Sequence, residues 1–128
     1  PSRIIDLVYI DRITCVYDDR IMKEYKDVLS RPKFASVIST QERKDLLGYI
    51  GRSGHFLISG PIDSLDYQLI PHQDDIPFAE VAVAGDAHYL ITGNHAHFNF
   101  FLQNPYNIKI LSPSKCYNLI CEKTKYCD

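Results

Sequence analysis

Glu24, the neighbouring acids Asp74 and Asp75, and Asn94 are the side chains whose types and spacing could do chemistry. The stretch from His72 to Asn94 sets two adjacent carboxylates at a helix start. It then returns along an apolar strand whose polar end could lie beside them. Hard divalent cations such as Mg²⁺ and Mn²⁺ take oxygen ligands that a fold gathers from separate elements, and such centres serve phosphodiester chemistry. Glu24 sits about one turn from both Ile21 and Val28, at the edge of a buried stripe, while Lys23 and Lys26 take the wet face. Quieter readings stand beside these. A surface glutamate pairs with a nearby lysine for little gain, and an aspartate before a proline-containing first turn is a good N-cap worth ~1 kcal/mol. Asp74 exceeds what capping needs, because two crowded carboxylates repel unless a cation or base relieves them.

The elements that must position these groups alternate in type. Ser2 caps a first helix through Ile10, Ile13 to Tyr17 reads as a buried strand, and Ile21, Tyr25, Val28 and Leu29 repeat at helical spacing until Arg31-Pro32. Ser39 with Glu42 has the form of a capping box for a helix that ends at Gly51 and Gly54, and His55 to Ser59 is a second strand. Asp75 and Pro77 open another helix, which ends near Gly85. His88 to Thr92 and Asn107 to Leu111 are the third and fourth strands, and a short helix around Lys115 to Leu119 leads into a polar tail. Apolar strands alternating with amphipathic helices imply a parallel sheet covered on both faces, with ligands collecting at the carboxyl ends of the strands. Asp18, Gly60 and Asn94 fall on that rim.

Composition narrows the classes. A chain of 128 residues with 45% hydrophobic content suits one domain with its own core. The formal charge of -2 excludes a globally basic nucleic-acid binder, so a polyanion must meet a local patch such as Arg31, Lys33, Arg43 and Lys44, or a bound cation. Solvated helix faces are the simpler account of those bases. No apolar run reaches the ~20 residues of a membrane span and no leader pattern opens the chain, so a cytoplasmic location without membrane contact is the expectation. Cys15 lies in a strand, and Cys116, Cys121 and Cys127 match no zinc spacing and read as buried or idle thiols. The histidines form no zinc pattern, and there is no serine elbow, phosphate loop or dinucleotide turn.

Taken in order, Arg3 to Leu7, Val16-Tyr17-Asp18, Glu24 to Phe34, Asp75 to Glu80 and Ala87 to Phe98 resemble the PIN-domain proteins classed as toxin components of bacterial toxin-antitoxin systems. The likeness covers Ser2 to about Leu119, leaving 120–128 as a tail. It implies an α/β fold, a three-layer α/β/α sandwich on a mostly parallel sheet. It also implies acids that hold Mg²⁺ or Mn²⁺ and hydrolyse single-stranded RNA. Glu24 and Asp75 match two of the metal-binding acids, Asn94 falls where many relatives carry aspartate, and Asp74 is an outer-shell or second-metal candidate. Arg31, Lys33 and Arg43 are candidate RNA contacts. Relatives begin with a strand ending in Asp-x-Asn, which this sequence does not contain ahead of Pro1. An N-terminally incomplete domain is therefore the expectation, one that holds metal poorly and either forms a homodimer through the exposed strand edges or binds a partner strand.

Two functions follow. One is a metal-dependent endoribonuclease with a cognate antitoxin. The other is a noncatalytic PIN-like protein that pairs with antitoxin or RNA without cleaving. A receiver-like domain is a weaker third, because no lysine ends a strand where phosphoryl chemistry needs one.

Overall fold

The computed structural model describes residues 2–103 and 106–124. Its order is α1 (Ser2–Tyr9), β1 (Val16–Tyr17), α2 (Asp19–Leu29), α3 (Pro32–Ala35), α4 (Thr40–Ser53) and β2 (His55–Phe56), then α5 (Ile76–Ala84), β3 (Tyr89–Ile91), β4 (Lys109–Leu111) and α6 (Pro113–Thr124). Short 3₁₀ turns at Tyr67–Leu69, Gln73–Asp75 and His95–Gln103 fill segments with no clear periodicity.

Local chemistry explains the helix ends. The Ser39 hydroxyl accepts from the Glu42 backbone N–H at 3.0 Å, and the Glu42 carboxylate accepts from the Ser39 N–H at 3.2 Å, so the capping box forms as the spacing predicts. Asp18 caps α2 by accepting from the Ile21 N–H at 3.0 Å. Asp75 differs from expectation. It holds the N-cap position of α5, yet its side chain makes no capping bond, because the 3₁₀ turn Gln73–Asp75 already brings its backbone into helical geometry.

The strands pair in two parallel couples, β1 with β2 (Val16 beside His55) and β3 with β4 (Leu90 beside Ile110). Among the described residues no hydrogen-bonded strand joins β1 to β3, so the single sheet read from the sequence stands as two. Each strand is shorter than its apolar run, because pairing extends over only two or three residues. The last helix is longer than the Lys115 to Leu119 segment, running on through the buried Ile120. Cys15 and Cys116 are free thiols, but Cys121 is disulfide-bonded and so is not the idle thiol expected from its spacing. Cys127 lies outside the described residues.

Side chains alternate across β3. Leu90 joins Ala79, Ala82, Phe98 and Ile108 in one cluster, whereas Tyr89 and Ile91 meet Leu7, Cys116 and Ile120 of α1 and α6. Helices therefore lie on both sides of β3 and β4. A third cluster, Ile21, Leu46, Ile50 and Val81 around Tyr17, ties α2, α4 and α5 to β1.

Candidate functional site

The site is built at the carboxyl end of β3. Beyond Ile91 the chain turns, with the Asn94 N–H donating to Thr92 Oγ1 at 3.0 Å and the His97 N–H donating to the Asn94 carbonyl at 3.1 Å. This turn carries His97 to Asp75 at the start of α5, where Nδ1 lies 3.2 Å from Asp75 Oδ2. The approach lacks hydrogen-bond alignment, so Oδ2 is a buried carboxylate oxygen without a donor. The exposed His72 ring stands 4.2 Å from the His97 ring, centroid to centroid, tilted by 41°.

Glu24 arrives on a second element. Helices α2 and α5 pack together, with the Tyr25 and Phe78 ring centroids 6.5 Å apart, so residues adjacent to these rings are carried on touching helices. The Glu24 carboxylate is 45% exposed and lies 3.9 Å from Arg31 Nη2, which also reaches Asp27 at 3.4 Å. Asp74 and Asn94 are exposed. Among the described residues no three or more His, Cys, Asp or Glu side chains converge as a metal-holding group. Asp75 and the Asn94 turn are thus brought together through His97, while Glu24 is turned to Arg31. Of the expected RNA contacts, Arg31 is engaged with acids, exposed Lys33 lies over the Phe34 ring at 5.1 Å, and Arg43 is half-buried on α4.

A network missed in the sequence reading lies close by in the fold. Asp18 and Glu80 are 5% and 4% exposed, and Arg20 bridges them, with Nε 2.8 Å from Asp18 Oδ2 and Nη1 2.6 Å from Glu80 Oε1. Tyr67 donates its hydroxyl to Glu80 Oε2 at 2.5 Å and accepts from the Ile62 N–H at 2.8 Å. Burial works against the Arg20 charge, but its bonds to Glu80 and Asp18 prevail and raise its pKa. The signal was present in the sequence: Glu80 is the one charge in the otherwise apolar segment Ile76 to Ala84.

These features define the class: a small α/β domain with parallel strands, helices against both faces, and a carboxylate lacking a donor beside a strand end. Residues 1–96 match the PIN domain family, and the chain belongs to it. Proteins of this family are generally nucleases and generally bind RNA. No curated protein and no solved structure matches the chain. No helix among the described residues is long and apolar enough to cross a membrane.

Proposed function

We propose that this PIN-domain chain is a divalent-metal-dependent endoribonuclease of the toxin type, hydrolysing single-stranded RNA from a three-layer α/β/α scaffold in the cytoplasm. A cognate antitoxin and a second copy of the chain are its proposed protein partners. The observation that carries this reading is Asp75 Oδ2, a buried oxygen without a hydrogen-bond donor at a strand end. Leaving such an acceptor unpaired costs about 1–3 kcal/mol, a cost that persists where a site is shaped for a ligand.

The donor chemistry suits Mg²⁺ or Mn²⁺, since Asp75, Glu24 and Asn94 all offer oxygen, the donor these hard ions prefer, although Glu24 would first have to turn from Arg31. Asp75 and Glu24 would hold the ion, Asn94 would add its carbonyl oxygen or position water, and Asp74 would act from outside. A bound divalent ion supplies an activated water and stabilises charge developing on a phosphate. Around it, this chain's own groups bind and orient RNA. Lys33 and Arg43 meet backbone phosphates, and His97, its ring tilted against that of His72, stands beside Asp75. Arg31 releases Glu24 when phosphate competes for its guanidinium.

One observation favours a second reading, a PIN-like protein that pairs with RNA or antitoxin without cleaving: Glu24 faces Arg31. Incubation of purified protein with labelled single-stranded RNA and Mn²⁺ separates the two. Cleavage that EDTA abolishes, and that both Glu24→Gln and Asp75→Asn lose, supports the nuclease. Tight RNA binding with no cleavage supports the binding protein.

A further inference from the structure

Asp75 Oδ2 and His97 Nδ1 stand 3.2 Å apart, close enough to touch but not aligned for a hydrogen bond, and Oδ2 accepts from no other group. That separation is one a shared metal ion imposes. With bonds of about 2.0–2.2 Å, two donors lie roughly 3.0 Å apart when cis in an octahedron and roughly 3.4 Å apart at a tetrahedral angle. A third donor stands one ring away. The His72 carbonyl accepts from the Asp75 N–H at 3.1 Å, so a single turn carries both residues, and the exposed His72 ring has its centroid 4.2 Å from that of His97. An exposed imidazole turns between its side-chain rotamers at little cost, which brings a ring nitrogen toward the gap.

We propose that His72, Asp75 and His97 form a binding site for zinc, with water completing a tetrahedron. Two imidazoles and one carboxylate are a ligand set that zinc takes readily, whereas Mg²⁺ prefers oxygen and dehydrates reluctantly. The nitrogen donors thus set the selectivity. This site differs from the oxygen-only set of Asp75, Glu24 and Asn94, because it does not need Glu24 to leave Arg31. Its ligands come from two segments, the turn before α5 and the turn after β3, so no zinc spacing shows in the sequence. Because the two sets share Asp75, zinc bound here withdraws that carboxylate from a harder ion. The inference stands on the placement of three donors and holds whether or not the chain cleaves RNA.

The test uses the whole chain, stripped with EDTA and exchanged into buffer without chelator or RNA, with ZnCl₂ and CoCl₂ as probes. Calorimetry should show a single saturable Zn²⁺ site that excess Mg²⁺ does not displace, and bound Co²⁺ should give the intense visible bands of a tetrahedral ion without a thiolate charge-transfer band. His97→Ala, His72→Ala and Asp75→Asn should each weaken Zn²⁺ binding by at least about tenfold, and Glu24→Gln should leave it unchanged. Where a variant fails to fold, the wild-type chain supplies the same answer: among its five histidines, Zn²⁺ should shift the ring-nitrogen resonances of His72 and His97 alone. Absence of saturable binding, displacement by Mg²⁺, a thiolate band, or shifts at other histidines overturns the proposal. So does unchanged affinity in His72→Ala or His97→Ala, or a loss in Glu24→Gln as large as in His97→Ala, which would put the ion in the oxygen-only set.

Discussion

His97 Nδ1 lies 3.2 Å from Asp75 Oδ2, yet that oxygen accepts no hydrogen bond and is sealed from water. A carboxylate kept this way is held at a cost to stability. Asp75→Asn replaces the charge with an amide that can donate, so the folded state should be unchanged or up to about 1 kcal/mol more stable. Urea unfolding of the variant checks this. A marked loss of stability would mean that Asp75 is a structural partner and not a group kept free for a ligand.

Arg20 is the only cation within bonding distance of the buried Asp18 and Glu80 among the described residues, and its removal leaves both carboxylates without a counter-charge, held only by the Ile21 N–H and the Tyr67 hydroxyl. Breaking one side of a buried pair costs about 3–5 kcal/mol, and the 42% exposure of the Arg20 side chain lowers the expectation to about 2–3 kcal/mol for Arg20→Met. Adding Glu80→Leu to Arg20→Met should recover part of the loss, because one uncompensated charge then disappears. A double-mutant cycle measures that coupling, and strict additivity would show that the bridge carries no interaction energy.

Gly54 ends α4 where backbone meets backbone. A Cβ there would stand 2.5 Å from the Ile50 carbonyl oxygen and 2.8 Å from that of Cys15, the latter also accepting from His55 in the β1 to β2 ladder. Neither oxygen can swing aside without breaking a bond it accepts. Gly54→Ala should therefore destabilise by about 2 kcal/mol or more, read as a lower urea midpoint, while Gly60→Ala, which meets nothing, should be near neutral.

The element types were legible because local rules set them: the Ser39 and Glu42 box and the Arg31-Pro32 stop each acted as their spacing implies. Strand extents were not legible, since an apolar run such as Ile13 to Tyr17 becomes strand only where a neighbour pairs, and β2 pairs at two positions. In the candidate site, Asp75 stood out as one of two adjacent acids at a helix start and Asn94 by its place after a strand, and the fold brings the Asn94 turn to Asp75 through His97. His97 carries no signal in the sequence, because it fits no zinc spacing and its contact with Asp75 is made across the fold. Glu24 was placed correctly at the stripe's edge, but pairing with Arg31, seven positions on, depends on how α3 departs from α2.

Alkaline pH should expose how the core holds its phenols and thiols. Burial, and then the nearby Cys15, push the Tyr25 phenol well above its ordinary 10.0, and burial likewise raises the Cys15 thiol above 9.0. In the unfolded chain these groups lose protons at their ordinary values, while the folded chain still holds them. The folded state then binds more protons, so stability is whole below pH 9.0 and falls as pH rises, first through the thiol and then above 10.0 through Tyr25. Each such group lowers stability by at most about 1.4 kcal/mol per pH unit within its window. Tyr25→Phe removes one titration and should flatten the decline above pH 10.0 while leaving the thiol-driven part in place. Urea midpoints of wild type and variant from about pH 8 to 11 test this, and parallel curves above pH 10.0 would show that Tyr25 ionises as easily in the fold as out of it.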